Sequence, residues 1–593
     1  MNSRVLGICF LLVGLMIVSC NSQQSYNDGF IKYEPTRISD FDKKILLQNL
    51  QEMDKRYDPE GKMITQEIKG WNYHTDAMTG RFHEVRGSFS YAVALLDCGE
   101  KKYEQRAFDV IHKTISLQDT DPNSPSCGVW PYFEEEPLAT KKSPIDYNWA
   151  DFNAVSLLDI YMGHKDRLPK ELLKEVENAL IMAAKSVRKR NCGPGYTNIA
   201  IMGTYVTYVT SYLFDMPDMQ EYANKRLKTF YDYTLEKGGF SEYNSPTYSI
   251  VAIDELNRMQ RHIIEPGAKS MIDELYAKCW NIIARHYHKP SAQWAGPHSR
   301  SYRTLVAPSF YGILKEASAG KIDLGYDPER SDVKTKHHIP ESLLSYFLDP
   351  KYPRTEVDVF EKEEPQVVGT TYLTDNYAIA TSSRSSLWNQ RRPLTAYWGQ
   401  LNDAHYLQVR LLHEFYDFST ASIFTRQEKN NVLAAINFGT NGGDKHISID
   451  RLKDGKFKAK DLRFRFEFGN CKEIDVTLPL KDNDMFTVET NGGKMCLQML
   501  QAKFDNLKGH WEQGGDGQNS WVDYVIYSGD EKDFDLMAVK EAVYAFALSF
   551  GIKSDNLVIR NAKSSMAGDV LHATWMGLSV EVPVKPDKNP RNL

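Results

Sequence analysis

Apolar side chains recur at intervals of three and four residues through the first half of the chain. Between Leu172 and Val187 they fall on a single face, which predicts an amphipathic helix. The same spacing predicts further amphipathic helices at residues 40–57, 219–236 and 271–286. The segments 153–161 and 198–214 are apolar on every face, as expected of helices enclosed by an outer layer.

The alternation of amphipathic and fully apolar helices predicts how these elements are arranged. Helices of the two kinds are joined by loops rich in Gly, Pro and Asn. This pattern favours stacked helical hairpins closed into an (α/α) toroid over residues 39–350, with the apolar helices inside. A plain helical bundle is the alternative that the same pattern allows.

A period of two replaces the helical spacing after about residue 350. Residues 462–468 alternate between apolar and charged side chains, as in a strand with one buried face. Further strands are predicted at 377–384, 394–398, 405–412 and 432–438, and Gly442-Gly443, Gly469-Asn470 and Asn491-Gly492-Gly493 are typical of hairpin connections. One helix is predicted in this half, over residues 537–550. Residues 351–593 should therefore form an antiparallel β-sheet or β-sandwich domain, giving an α+β multidomain protein.

The composition of the chain disfavours one class of function and is compatible with another. The chain has 593 residues with a net charge of -6, and 12% of its residues are aromatic. A nucleic-acid-binding protein would need a basic face, so this class is disfavoured. Aromatic rings suit the stacking of sugar rings, although cores also use them.

The N-terminus predicts export. Arg4 and the apolar run Val5–Val18 form a signal peptide over residues 1–20, too short to span a membrane comfortably. Ile17-Val18-Ser19-Cys20 resembles a bacterial lipobox, which implies lipidation of Cys20, a polar tether over 21–38, and attachment in the outer membrane or periplasm. An ordinary cleaved signal is the alternative. The remaining cysteines have no zinc-ligand spacing, and we expect buried free thiols at Cys98, Cys127, Cys192, Cys279, Cys471 and Cys496.

Polar residues concentrate in the predicted loops of the first half. They lie at 130–153, at 195–198, in the segment Gly238–Tyr248, and at 294–303. Asn153 and Asn198, at the starts of apolar helices, are candidate substrate-binding residues, and helix capping is their alternative role. Trp130 and Trp294 are candidate stacking residues.

The segment 294–303 presents His298, Arg300 and Arg303 after a Gly-Pro turn. One imidazole and two guanidinium groups would form a clamp for a carboxylate. Elimination of a leaving group from a uronic acid needs that carboxylate neutralised, a base for the C5 proton, and an acid for the departing oxygen. Glycoside hydrolysis needs two paired carboxylates. The predicted loops are rich in Tyr, His, Asn and Arg, so elimination fits them better than hydrolysis.

Glu242-Tyr-Asn-Ser-Pro-Thr-Tyr248 resembles the "E-x-S-x-x-Y" element of the heparinase II/III-like polysaccharide lyases, with one residue inserted. The resemblance implies that Tyr248 is the catalytic acid or base, with Tyr243 second, and that Asn198 neutralises the uronate. In that family the β domain brings a histidine from an "H-x-H" strand. No such pair occurs in residues 351–593, and His405 is the nearest candidate for a histidine from the β domain. Some lipoproteins of this layout remove a terminal rhamnose linked to glucuronate in arabinogalactan, but these residues do not separate that exo activity from endo cleavage.

Three functions follow. The first is a polysaccharide lyase acting on a uronic-acid-containing glycan, with Tyr248 and a partner, His298 or His405, and without metal or cofactor. The second is a glycoside hydrolase using Asp151 and Glu242. The third is a surface glycan-binding lipoprotein without catalysis, in which Trp130, Trp294 and Trp398 stack on the glycan.

Overall fold

A computed structural model describes residues 29–588, apart from residues 71, 73, 329–333, 445, 447–448, 450–451, 480 and 482. The predicted signal peptide, Cys20, and the tether as far as residue 28 lie outside the described residues.

Helices dominate the described chain up to Leu348. They are α1 (Asp40–Asp54), α2 (Val85–Asp97), α3 (Lys101–Ile115), α4 (Asn148–His164), α5 (Lys170–Arg190), α6 (Thr197–Leu213), α7 (Pro217–Lys237), α8 (Tyr248–His262), α9 (Pro266–His286), α10 (Pro308–Ala317) and α11 (Ser345–Leu348). Short strands accompany them: β1 (Tyr57–Asp58), β2 (Met63–Lys69), β3 (Thr79–His83), β4 (Tyr287–His288) and β5 (Gln293–Trp294).

The helices form a toroid of hairpins, as the sequence predicted. Consecutive helices pair as α2/α3, α4/α5, α6/α7 and α8/α9, and the first members also pack on one another in the order α2, α4, α6, α8. Nearly every residue of α4 and α6 is buried, because the second members of the hairpins cover these inner helices. Inner helices therefore run parallel, with their N-termini at one end of the toroid.

The two ends of the toroid differ in their loops. At one end, connections of three to five residues join the inner helices to the outer ones, as at 98–100 and 165–169. At the other end, longer segments such as 116–147, 238–247 and 287–307 lead into the inner helices. The polar clusters found in the sequence lie in these longer segments, so the fold gathers them around the inner N-termini.

Antiparallel strands form the second half of the chain. They are β6 (Arg354–Glu361), β7 (Val367–Leu373), β8 (Tyr377–Ser382), β9 (Arg384–Ser386), β10 (Leu394–Gln400), β11 (Asp403–His413), β12 (Tyr416–Asp417), β13 (Ala421–Glu428), β14 (Asn431–Phe438), β15 (Lys456–Gly469), β16 (Asp475–Val476), β17 (Met485–Glu489), β18 (Gly493–Phe504), β19 (His510–Gly515), β20 (Ser520–Asp535), β21 (Ala542–Ile552), β22 (Lys563–Ala567), β23 (Val570–Trp575) and β24 (Leu578–Pro583).

Two large sheets of these strands pack face to face. One has the order β19-β20-β15-β11-β10-β8-β7-β6, with β12 beside β11, and the other has the order β16-β17-β18-β21-β14-β13-β9. Their inner faces share one apolar core, and β22, β23 and β24 form a smaller sheet that packs outside β14 and β21. The β domain is therefore a sandwich, which is one of the two forms predicted from the sequence.

The helix predicted over residues 537–550 is wrong, because most of that segment is strand β21. Large and small apolar residues alternate along it. Tyr544, Phe546 and Leu548 enter the sandwich core, whereas Ala545 and Ala547 lie under the small sheet. A strand buried on both faces is apolar throughout, and its sequence pattern cannot be distinguished from that of a buried helix.

The six cysteines of the described chain form no disulfide, with Cys127 and Cys192 half-buried and the other four buried. None of the described helices is both long enough and apolar enough to cross a membrane.

Candidate active site

The loop before α8 is fastened to the loop before α10 by Asn244. Asn244 has a left-handed backbone (φ 43°), which Asn tolerates better than most residues. Its side-chain amide donates to the carbonyl oxygens of Ala295 and Pro297 at 3.0 and 2.9 Å, and its oxygen accepts the indole N–H of Trp294. The two loops are thus held as one surface at the inner N-termini.

A chain of polar contacts crosses this surface. The Glu242 carboxylate accepts the backbone N–H of Asn198 at 3.0 Å and its side-chain amide at 2.9 and 3.1 Å. Arg300 donates from Nη1 to the same carboxylate at 3.2 Å and from Nη2 to the Tyr248 hydroxyl at 3.1 Å. The Tyr248 and Tyr302 hydroxyl oxygens lie 2.8 Å apart. We call these five residues the Tyr248 cluster.

The Tyr248 cluster runs from the interior to solvent. Asn198 and Glu242 are buried, whereas Tyr302 is 49% exposed. Burial raises the pKa of Glu242, and the Arg300 charge opposes that shift. Burial also raises the pKa of Tyr248, again against Arg300, so the phenol is protonated at neutral pH. The cluster therefore presents a neutral phenol beside a guanidinium group whose carboxylate partner lies behind it.

Aromatic rings surround the Arg300 guanidinium. Its central carbon lies 4.6 Å from the Tyr248 ring centroid and 5.0 Å from that of Trp388. Tyr196 is 37% exposed at the start of α6, where burial and the Glu242 charge raise the pKa of its phenol. Exposed rings beside polar groups form a surface that can bind sugar rings.

The β domain closes one side of the cluster. The side-chain oxygen of Gln390 accepts from Arg300 Nε at 2.8 Å. The ring of His446 lies 4.9 Å from that of Trp388, and burial, followed by the Arg300 charge, lowers the pKa of His446 to about 4. Sequence reasoning missed Trp388, Gln390 and His446, since only the docking of the two domains brings them to Arg300.

An ion pair holds Asp444, two residues before His446. The Asp444 carboxylate accepts from Arg391 Nε and Nη2 at 2.8 and 3.0 Å, a two-point contact on a half-buried guanidinium. Arg391 directly follows Gln390, so Asp444 is bound to the same segment that contacts Arg300.

A family model described as a domain of unknown function, DUF8769, matches residues 43–339, half of the chain. The chain belongs to this family. No curated protein matches it.

Three solved structures align with this DUF8769 protein over most of its length. A heparinase III is 10% identical, with 93% of this chain and 92% of that chain covered, at a TM-score of 0.47. A heparan sulfate lyase from Pedobacter heparinus is 10% identical, with 93% and 90% covered, at 0.41. A chondroitin AC lyase from Streptomyces coelicolor A3 is 8% identical, with 93% and 88% covered, at 0.45.

His405 of this DUF8769 protein lies away from the Tyr248 cluster. Its Nδ1–H donates to the Asn470 carbonyl at 2.8 Å, Nε2 lies 3.3 Å from the Asn491 amide, and its ring is 5.7 Å from that of Trp398. All these partners belong to the β domain. The proposed pairing of His405 with Tyr248 is therefore corrected: His405 fixes the start of β11.

His298 supports the site from behind. Its Nδ1–H donates to the Asn244 carbonyl at 2.6 Å, and Nε2 lies 3.3 Å from the Tyr397 hydroxyl. Burial lowers the pKa of His298 to about 3, so the ring is neutral. It has no contact with the Tyr248 hydroxyl, and its expected catalytic role is corrected to that of a support for the loop.

Tyr243 and Arg303 also lie apart from the Tyr248 hydroxyl. Tyr243 is buried at the domain interface, where its ring stacks on Phe360 with centroids 4.0 Å apart. That position does not fit the role of proton donor. Arg303 is exposed at the edge of the 294–303 segment, and of the two arginines only Arg300 joins the cluster.

The asparagines do not cap helices, since Tyr147 and Tyr196 occupy the cap positions of α4 and α6. Asn198 is buried and bound to Glu242, so it acts on the cluster from within. Asn153 is fully buried, and its side chain has no hydrogen-bond partner among the described residues.

The three tryptophans expected to stack on glycan are core residues. Trp130, Trp294 and Trp398 are at most 2% exposed, and their indole N–H groups bind Thr114, Asn244 and Asn491. Their role as stacking residues is corrected, because both faces of each ring pack inside the protein.

Asp151 is likewise buried, with its carboxylate 3.8 Å from Arg190 and facing Gly203 in the middle of α6. Burial raises its pKa to about 7. Asp151 and Glu242 do not flank a shared opening, as the two carboxylates of a hydrolase must. In the described part of the chain, no group of three or more His, Cys, Asp or Glu side chains could hold a metal ion.

Proposed function

We propose that this protein is a polysaccharide lyase that cleaves a uronic-acid-containing glycan by β-elimination. The observation that carries the proposal is the Tyr248 hydroxyl. It lies at the open end of a buried Asn198–Glu242–Arg300 chain, 3.1 Å from a guanidinium nitrogen.

This geometry suits the departure of the leaving oxygen. A phenol with a raised pKa holds its proton at neutral pH and can give it to the oxygen at C4 as the C4–O4 bond breaks. The adjacent Arg300 charge stabilises the phenolate that results. The same charge attracts the substrate carboxylate, which makes the C5 proton easier to remove.

His446 is our candidate for the base that removes the C5 proton. Its lowered pKa keeps the imidazole unprotonated at neutral pH, which is the form that can accept a proton. It belongs to the β domain and lies against Trp388 beside Arg300. In this proposal it replaces His298 and His405 as the partner of Tyr248.

Neither alternative function gains support from the site. A hydrolase would need two carboxylates facing the bond, but Asp151 is buried behind α6 and Glu242 is occupied by Asn198 and Arg300. A glycan-binding role based on the three tryptophans lacks an exposed ring among them.

The test is an ultraviolet screen with alginate, glucuronan, glycosaminoglycans and gum arabic. A lyase creates a C4–C5 double bond, so absorbance rises as chains are cut. Gum arabic tests the finer proposal of exo action on rhamnose–glucuronate ends. Reducing sugar released without new absorbance would instead establish hydrolysis and overturn the proposal.

The His446→Gln variant tests the base. We expect turnover to fall about 100-fold or more on the substrate that the screen identifies, because general-base catalysis contributes that much. His510→Gln is the matched control, since His510 lies exposed on β19. Equal turnover in the two variants would remove His446 from the mechanism.

We also propose that Cys20 carries a lipid anchor in the outer membrane or periplasm. Support comes from the apolar run and Ile17-Val18-Ser19-Cys20 motif. The Cys20→Ser variant, expressed in a Gram-negative bacterium, should leave the membrane fraction. If it remains there as fully as the natural chain, the anchor is elsewhere.

A further inference from the structure

A cavity of about 300 Å³ lies along the axis of the toroid. Residues of α2, α4, α6, α8 and α10 line it, among them Arg86, Phe152, Ser156, Met202, Val251 and Glu255. Its walls combine apolar side chains with hydroxyl, carboxylate and guanidinium groups. This mixture is typical of a site for a small polar ligand.

The cavity lies about one helical turn from the Tyr248 cluster along α6 and α8. On α8, Val251 and Glu255 follow Tyr248 by three and seven residues, so all three share one face of the helix. On α6, Met202 follows Asn198 by four residues and also lines the cavity. The helix faces that carry the cluster therefore become the walls of the cavity one turn below.

Ion pairs cross the lower part of the cavity. Arg258 on α8 donates to Glu255 at 2.6 Å and lies 3.5 Å from the carboxylate of Asp159 on α4. Because α6 packs between α4 and α8, the contact between Arg258 and Asp159 spans the axis. These ion pairs line the α4 and α8 walls of the cavity, whose volume of about 300 Å³ is at the lower end of the range for ligand pockets.

Arg86 supplies a positive charge in this space. It is exposed to solvent, and its guanidinium carbon lies 4.0 Å from the centre of the Phe152 ring. Burial lowers the pKa of Arg86, and the charges of Glu84 and Glu255 oppose that shift. A guanidinium stacked on an aromatic ring is suited to bind a carboxylate at two points.

We propose that the axial cavity binds the terminal sugar of an acidic glycan, with an acidic group of that sugar on Arg86. Glu255 and the half-buried Asp254 then accept hydrogen bonds from its hydroxyl groups. The proposal rests on the lyase function proposed above and adds to it that cleavage proceeds from a chain end that carries an acidic sugar, in place of the rhamnose–glucuronate ends considered above. The scissile bond lies at Tyr248, above the occupied cavity.

Binding is measured separately from cleavage. Tyr248→Phe protein is titrated with glucuronate and galacturonate monosaccharides, with rhamnose as the neutral sugar, by calorimetry. We expect at least one uronate to bind more tightly than rhamnose. We expect Arg86→Gln to weaken that binding about 10- to 100-fold, the effect of losing a charge-assisted contact. Arg188→Gln, a change on the exposed outer helix α5, is the matched control and should bind as the parent does.

Absence of uronate binding, or equal binding by the Arg86→Gln and Arg188→Gln proteins, would overturn this inference even if the enzyme proves to be a lyase. Conversely, uronate binding lost only in Arg86→Gln would support it even if no polymer is cleaved.

The product pattern gives the second measurement. Natural enzyme acting on an end-labelled acidic oligosaccharide should release products of one small size from the start, and Ser156→Leu, which narrows the cavity, should slow this release. A ladder of intermediate sizes at early times would show that the chain passes over the cavity, and the inference would fail.

Discussion

At the scale of single residues, the site depends on how each polar group is supported. Arg300 uses separate nitrogens for Gln390, Glu242 and Tyr248. Its guanidinium plane therefore has one orientation, and the Tyr248 hydroxyl has one position. Burial of Glu242 and exposure of Tyr302 then decide which end of the cluster meets solvent.

Removal of one oxygen atom tests the proton donor. Tyr248→Phe should lower the rate of elimination about 100-fold or more, because the leaving oxygen loses its acid. Stability should change by less than about 1.5 kcal/mol, the usual net contribution of a hydrogen bond. Tyr302→Phe is the control, since it removes the neighbouring hydroxyl and leaves the Arg300 contact in place. If Tyr248→Phe keeps more than a tenth of the natural rate, Tyr248 is not the acid.

The charge of Glu242 is expected to be needed for stability. Glu242→Gln leaves the Arg300 charge, only 13% exposed at its side chain, without its carboxylate partner. We expect a loss of about 3–5 kcal/mol in the free energy of unfolding, measured by urea titration. Glu52→Gln, which removes an exposed partner of Lys55, should cost less than about 1 kcal/mol. Equal losses in both variants would show that the Glu242 pair is not the support described here.

At the scale of elements, the loops before the inner helices are held by buried neutral histidines. His288 donates from Nε2 to the Thr374 carbonyl at 2.9 Å, which joins β4 to the β domain. His298 holds the loop before α10 through Asn244. Burial is the main cause that lowers the pKa of both rings, to about 4 and about 3. Each ring must therefore stay unprotonated for its element to remain docked.

These histidines predict acid sensitivity. In the unfolded chain His288 becomes protonated below about pH 6.5. In the folded chain it becomes protonated only below about pH 4. Stability should therefore be complete above about pH 6.5 and fall as the pH drops towards 4, by at most about 3 kcal/mol for this residue. His288→Gln should flatten the decline in urea titrations across that range, whereas exposed His510→Gln should not. An unchanged decline in His288→Gln would contradict the assignment.

At the scale of the whole molecule, the site exists only when the two domains dock. Trp388, Gln390 and His446 come from the β domain, whereas the other members come from the toroid. Docking is also held by Asp358 on β6, which accepts from Arg285 and from His286 Nε2 at the end of α9. The candidate site and this ion-paired contact are two parts of one interface.

Loss of that contact should uncouple the domains. Asp358→Asn leaves Arg285 with a weaker partner, so we expect the calorimetric transition to broaden or split as the domains unfold separately. Elimination should weaken as well, because Gln390 no longer holds Arg300 firmly. Asp533→Asn, at a side chain 86% exposed on β20, is the control. A single unshifted transition in Asp358→Asn would show that this pair does not couple the domains.

The sequence by itself determined the architecture and marked the loop that carries Tyr248. Helical spacing in the first half and period-two patterning in the second reflect which side of each element is buried, and that is a local property. The helix predicted over residues 537–550 is wrong because a strand buried on both faces lacks alternating polar residues. The unusual density of polar residues in Gly238–Tyr248 was also local, and it marked Glu242 and Tyr248.

Only the tertiary structure decided which residues accompany Tyr248. The exposure of an aromatic ring depends on its neighbours in space, so Trp130 and Trp294 proved to be core residues while Tyr196 and Tyr302 face solvent. His446 lies nearly 200 residues from Tyr248 along the chain, and no spacing rule could have paired them. Arg86 lies at the start of α2 and belongs to none of the polar clusters found in the sequence. The packing of the inner helices places it at the axial cavity. Local patterns record burial, but the composition of a site depends on which surfaces the packed elements bring together.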